Sequence, residues 1–202
     1  MTRKISKGEM ILAGLSALVG LTALLLRLPY RAPLLNGVLT ALALSALYLY
    51  LRMRLEIRVP ANALLGLVIA VVLDIVGNQF GLFSRRIWFI PYDIITHFLT
   101  SGLTLMLVMW LLMTLFIRFD YRLPLGWIAF FSVTSTFSLA AYYEITELMD
   151  ERWFGGHRIW STRDTSQDLA ADLVGAVIAA VGYSLLVRRG SRKLSAKTMP
   201  SR

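Results

Sequence analysis

The sequence predicts an all-α fold, a polytopic membrane protein built as a six-helix transmembrane bundle. Three observations carry that expectation. The chain of 202 residues is 57% hydrophobic, with a mean hydropathy of +0.65. Its apolar runs are roughly 18 to 24 residues long, the length an α-helix needs to cross the hydrocarbon core of a bilayer. Short basic segments separate the runs and supply most of the formal charge of +9. Basic residues at the edges of apolar runs set topology and meet anionic headgroups, so membrane lipids are the expected partners and no nucleic acid is. The chain contains no cysteine, which excludes disulfides, thiolate nucleophiles and cysteine-based metal sites.

In chain order, residues 1–8 form a basic N-terminal segment, 9–189 the transmembrane domain, and 190–202 a short basic tail expected to be disordered. Helices are expected near 9–27, 34–52, 61–80, 93–117, 124–149 and 165–187. The first run lacks a small-residue cleavage site and further spans follow it, so it reads as a retained helix and not as a signal peptide. Pro29 and Pro33 punctuate the first connection, Pro60 opens the third helix, Pro91 precedes the fourth and Pro124 opens the fifth. Each proline falls where a missing amide donor does little harm. On the sixth helix Gly175, Ala176, Ala179 and Ala180 present a small face that allows close helix approach. Neither an internal repeat nor a second domain is visible.

An even number of spans puts both termini on one side. That side would hold Arg3, Lys4, Lys7, Arg52, Arg54, Arg58, Arg118, Arg122, Arg188, Arg189, Arg192, Lys193, Lys197 and Arg202, 14 of the 21 basic residues. The positive-inside rule then makes both termini cytoplasmic.

The unusual polar residues converge on the opposite side. Asp74, Asn78 and Gln79 lie toward the end of the third helix. Asp93 and His97 open the fourth, one turn apart on one face. Glu144 and Glu147 lie near the end of the fifth, with Asp150 and Glu151 just beyond. Asp164, Asp168 and Asp172 recur every four residues at the start of the sixth and project from one side. Because the spans alternate in direction, all of these residues fall at the external face. An ionised carboxylate inside the membrane is expensive and marks a functional site by default. Asp164, Asp150 and Glu151 fit an ordinary headgroup-zone role, and an acid at a helix start complements the dipole. Asp168 and Asp172 lie too deep for that. His157 reads as a solvated loop residue. Arg85, Arg86, Arg152, Arg158 and Arg163 share the external face as headgroup anchors, and Arg85, Arg86 and Arg163 are candidates to hold a substrate phosphate. Trp88, Trp153 and Trp160 fit an interfacial aromatic belt.

The segments PYDIITHFLTSG (91–102), YYEITELMD (142–150) and RDTSQDLAADLVGA (163–176) resemble the YjdF-like family of bacterial inner-membrane proteins. More distantly they resemble VanZ-like proteins, in which an acid and a histidine open one helix and an acid-rich segment opens the last. The likeness covers roughly residues 70 to 185 and leaves out the first two helices and the tail. It implies a place in the lipocone superfamily, whose enzymatic members are thought to act on lipid headgroups, and a bacterial cytoplasmic-membrane location. The positions matching the shared polar motif are Asp93, His97, Glu144, Glu147, Asp164, Asp168 and Asp172. VanZ-like proteins often carry asparagine where Asp172 stands.

Three functional readings remain open. In the first, the protein cleaves or exchanges a headgroup at a lipid phosphodiester. His97 acts as base or nucleophile, oriented by Asp93, and Glu144 or Glu147 acts as the complementary acid. Asp168, Asp172 and Glu147 are then candidate ligands for a divalent cation. Such oxygen-rich ligands suit magnesium, manganese or calcium, with zinc as a further option. In the second, the same acids relay protons or cations in a transporter. In the third, they specify helix packing in a non-catalytic scaffold.

Overall fold

The computed structural model describes residues 46–155, 159, 161 and 163–198. The helix expected at 9–27 and most of that at 34–52 lie outside the described residues. The C-terminal part of the latter is present as a helical stretch over 46–54. Four helices follow: α1 (Ala61–Gln79), α2 (Tyr92–Arg118), α3 (Leu125–Phe154) and α4 (Asp164–Thr198). Among the described residues, three helices are long and apolar enough to cross a membrane, over Tyr92–Arg118, Leu125–Trp153 and Asp164–Gly190. The architecture is that of an all-α, multi-pass membrane protein.

Helix ends depart from expectation where the chain offers a breaker later than the last apolar residue. α3 continues past 149 to Phe154, because no stop signal comes before Gly155, which takes the left-handed conformation (φ 71°) and donates its N–H to the Asp150 carbonyl. Asp150 and Glu151 are therefore helical residues. α4 continues to Thr198 and takes in most of the segment expected to be a disordered tail. No proline intervenes before Pro200.

A two-stranded antiparallel hairpin, β1 (Arg86–Ile87) and β2 (Ile90–Pro91), adds a small β element to the all-α expectation. Of its two cross-strand pairs, Arg86 with Pro91 and Ile87 with Ile90, the second sets two β-branched side chains opposite one another. The two-residue turn puts Trp88 at φ 61°, the sign that a type II′ turn requires at its first central position. The Tyr92 amide donates to the Arg85 carbonyl at 3.0 Å, carrying the hairpin directly into α2. Tyr92 also donates its hydroxyl to the Leu73 carbonyl at 2.9 Å, which ties the start of α2 to the end of α1.

Helix α2 is central. It packs most extensively on α4 and also contacts α1 and α3, while α3 packs on α4. The tightest approach involves Gly175: a methyl group there would run into the carbonyl oxygen of Phe98, and the missing Cβ of Gly102 lies 3.5 Å from the Gly175 carbonyl oxygen. Leu105, Ala176 and Ala180 form a small apolar core just beyond this crossing. Large apolar residues face outward instead, among them Leu139, Ile145 and Leu148 on α3 and Val174, Ile178 and Val181 on α4. The buried set is rich in polar groups, including Thr96, His97, Ser101, Ser132 and Thr136. This inversion, small and polar within, large and apolar without, suits a bundle solvated by lipid, where close van der Waals packing and interhelical hydrogen bonds hold the helices together.

Replacing Gly175 by alanine should therefore separate α2 from α4. Overpacking of this kind costs about 1–3 kcal/mol or more, to be read as a lowered unfolding temperature of the detergent-solubilised protein, while alanine at the outward-facing Val174 should change it little.

Candidate functional site

The α2–α4 crossing sets Phe98 against Gly175. His97 precedes Phe98 by one residue, and Asp172 lies one turn before Gly175. The two side chains meet: His97 Nδ1 is 3.0 Å from Asp172 Oδ2. A carboxylate can only accept, so Nδ1 carries the proton and donates it. Ser101, one turn further along α2, donates its hydroxyl to Asp172 Oδ1 at 2.6 Å. Asp172 thus holds two α2 side chains at once. Ser101 bonds to the carboxylate and not to the imidazole, so this is no nucleophile–base relay of the serine hydrolase kind.

With Nδ1 engaged, the Nε2 edge of the ring faces the other acids. Asp93 Oδ1 lies 3.5 Å from Nε2, from the preceding turn of α2. Glu144 Oε1, from α3, lies 3.8 Å from it. Asp93, His97 and Asp168 each present one ligand-type atom, all within 4.8 Å of one another. Tyr143 sets its ring edge-on to the imidazole, with centroids 6.1 Å apart. Asp168 and Asp172 are each only 3% exposed and Glu144 only 4%. Carboxylates this deeply withdrawn from solvent require hydrogen bonds or a counter-charge. Glu144 Oε1 and both carboxylate oxygens of Asp150 are buried with no hydrogen-bond partner, although the Thr165 side chain hydrogen-bonds the Glu144 carboxylate.

The structure brings Asp93, His97, Glu144, Asp168 and Asp172 together at one end of the bundle. Glu147 is buried on α3 one turn beyond Glu144, and Asp164 is half-buried at the start of α4. Asp74 and Asn78 fall on the last turns of α1, and their side chains are not among those described. Arg85, Arg86 and Arg163 are exposed, on the hairpin and the loop before α4.

Two assignments change. The group that orients His97 is Asp172 and not Asp93, because the small face of α4 lets an acid from a different helix reach Nδ1. Asp172 engages His97 and Ser101, while the donor atoms close enough to share an ion are those of Asp93, His97 and Asp168, a group that overlaps the expected set of Asp168, Asp172 and Glu147 only at Asp168. Asp150, read from the sequence as a headgroup-zone acid, is buried, because α3 continues through it. Ser101 was missed as well. Its signal was legible, since it continues the four-residue spacing of Asp93 and His97 along one face of α2.

Removing the carboxylate at Asp172 leaves the Nδ1–H of His97 and the hydroxyl of Ser101 without their acceptor. Each buried donor so orphaned costs about 1–3 kcal/mol. Asp172→Ala should therefore lower the unfolding temperature more than Ser101→Ala does, and imidazole ¹⁵N shifts should show His97 losing its fixed Nδ1–H tautomer.

No curated protein and no solved structure matches the chain. The family model described as predicted membrane protein, DUF2238, matches residues 9–189 and so spans both the helical bundle and its buried acidic cluster. The chain belongs to that family.

Proposed function

We propose that this protein acts on phospholipid or lipid-linked headgroups, cleaving or exchanging a phosphodiester in an outward-facing pocket whose working group is His97. The observation that carries the reading is the fixed imidazole: Asp172 holds Nδ1 at 3.0 Å, and the opposite edge is turned into a cluster of buried acids at one end of a membrane-spanning bundle. An orienting carboxylate fixes the tautomer and raises the basicity of the other ring nitrogen. In the reaction, a water or alcohol oxygen attacks phosphorus and its proton passes to Nε2 of His97. The phosphorus–oxygen bond to the leaving alcohol breaks, and a carboxylic acid, Glu144 or Glu147, returns a proton to that oxygen. The likeness to YjdF-like and VanZ-like proteins supports the choice of lipid headgroups as substrate class by analogy. A six-span topology with both termini cytoplasmic, in a bacterial cytoplasmic membrane, belongs to the same proposal. It would put the pocket at the outer headgroup layer, where the exposed Arg85, Arg86 and Arg163 would meet lipid phosphates.

One observation favours a second reading. Toward the other end of the bundle α3 buries Ser132 and Thr136, and the Thr136 hydroxyl has no hydrogen-bond partner. Buried polar groups continuing inward from an acidic cluster suit a proton or cation relay. Flux across proteoliposomes that is abolished by Asp168→Asn, with no headgroup released, would select this reading over the first.

The headgroup reading is tested with the purified protein in vesicles of mixed labelled phospholipids, by following release or exchange of the soluble headgroup. His97→Ala should reduce turnover by about 10²- to 10⁴-fold, the range of a general acid–base contribution, while the variant remains folded in detergent. Undiminished turnover in that variant would overturn the mechanism.

A further inference from the structure

We infer that the pocket binds a divalent transition-metal cation between Asp93, the Nε2 edge of His97, Asp168 and Glu144. The inference deepens the headgroup reading and rests on it for the cation's purpose, whereas the binding itself is argued from the geometry. With the ion bound, Nε2 and Glu144 would be ligands, a cluster carboxylate would take the proton that Nε2 takes in the ion-free protein, and Glu147 would be the acid.

First, the donor atoms are spaced for one shared ion. The candidate atoms of Asp93, His97 and Asp168 lie within 4.8 Å of one another, so a cation at the usual ligand distance of about 2.0–2.3 Å can be reached by all three with small adjustments. Second, the imidazole is prepared as a ligand. Nδ1 donates to Asp172, which in the neutral ring leaves the lone pair on Nε2, and a carboxylate behind the histidine is the usual outer support of a metal-bound imidazole. Third, that lone pair faces carboxylate oxygens at 3.5 and 3.8 Å. Those separations exceed the roughly 2.7–2.9 Å of a charge-assisted N–H···O bond. Electron-rich atoms facing one another at this range repel unless a positive charge lies among them, either a second proton on the ring or a metal cation in its place.

Independently, Glu144 Oε1 points at the same place. It is buried, has no hydrogen-bond partner, and comes within 3.8 Å of Nε2. Such an oxygen costs about 1–3 kcal/mol or more when left unpaired, and a cation between it and Nε2 removes that cost.

Charge also decides what can enter. Asp93, Asp168, Asp172 and Glu144 surround a single imidazole, with Glu147 and Asp150 buried further along α3. A lipid phosphate, itself anionic, would be repelled from that interior, and a dication reverses the local sign. The donor set names the class of ion: three carboxylates with one imidazole and no thiolate favour manganese or zinc over magnesium or calcium, which prefer oxygen alone.

The test uses the full chain in detergent, stripped with a chelator, dialysed and titrated with Mn²⁺ while the paramagnetic resonance of the free ion is recorded. One Mn²⁺ should be taken up per chain. His97→Ala and Asp168→Asn should weaken uptake at least about 100-fold. Asp172→Asn, acting only behind the imidazole, should weaken it about 10- to 100-fold. Asp120→Asn, in the turn just beyond the opposite end of α2, should leave it unchanged. If His97→Ala does not fold, Glu144→Gln, which keeps the side-chain shape, serves in its place. A stripped wild-type protein that leaves the free Mn²⁺ signal undiminished, or His97 and Asp168 variants that bind as wild type does, would overturn the site. Uptake without headgroup release upholds the site and counts against the enzymatic reading. Headgroup release that persists in chelator with no Mn²⁺ bound sinks the site and leaves that reading standing.

Discussion

The close contact between α2 and α4 at Gly175 is the constraint on which the rest of the structure depends. With no Cβ at that position, the α4 backbone comes up against the Phe98 carbonyl. That distance is what allows a short side chain, Asp172, to reach across to both His97 and Ser101. A larger residue would push the helices apart and leave the aspartate unable to span the gap. Packing and chemistry are thus one feature: the residue that permits the approach lies one turn from the residue that exploits it.

From that contact the polarity of the interior follows. Asp172 fixes one edge of the imidazole, and the opposite edge meets acids contributed by α2, α3 and α4. Each ionised group at membrane depth costs at least about 2.5–3.5 kcal/mol by insertion scales. A cluster of them is tolerable only with protons, a cation or water among them, and the unpaired oxygens of Glu144 and Asp150 mark where the protein alone does not complete the compensation. Incomplete satisfaction is unfavourable for stability and useful for binding, because a ligand that supplies the missing charge is stabilised by the fold around it. A purely structural polar network would be expected to close on itself, as the Ser101–Asp172–His97 part does and Glu144 Oε1 does not.

The hairpin before α2 shows the same coupling of local and global structure. Its turn exposes Trp88 almost fully, at 91%, in a left-handed conformation unusual for a bulky residue. It is followed without interruption by Tyr92, whose hydroxyl ties α1 to α2. The hydrogen-bonded turn thereby sets the position from which α2, with Asp93 and His97 in its first two turns, departs.

Much of this was legible in the sequence. Run lengths and hydropathy specify helices long enough to cross a bilayer, because lipid leaves the backbone few alternatives to helix. Alternating span direction brings the acids of three helices to one end, since that requires only that consecutive spans reverse. Four-residue spacing places Asp93 with His97, and Asp168 with Asp172, on common helix faces. Which carboxylate would take which edge of the imidazole was not legible. That depends on helix separation and rotation, set by a glycine meeting a carbonyl on a different helix and by no periodicity within either. The burial of Asp150, likewise, follows from how far α3 runs before Gly155 and from what packs beside it. The sequence by itself determined the kind of fold and the end of the bundle at which the acids gather, because those arise from local periodicity, run length and the reversal of consecutive spans. Only the tertiary structure decided the pairings within it, because hydrogen bonds a few tenths of an ångström apart in length depend on how two helices pack, and that is a property of neither helix alone.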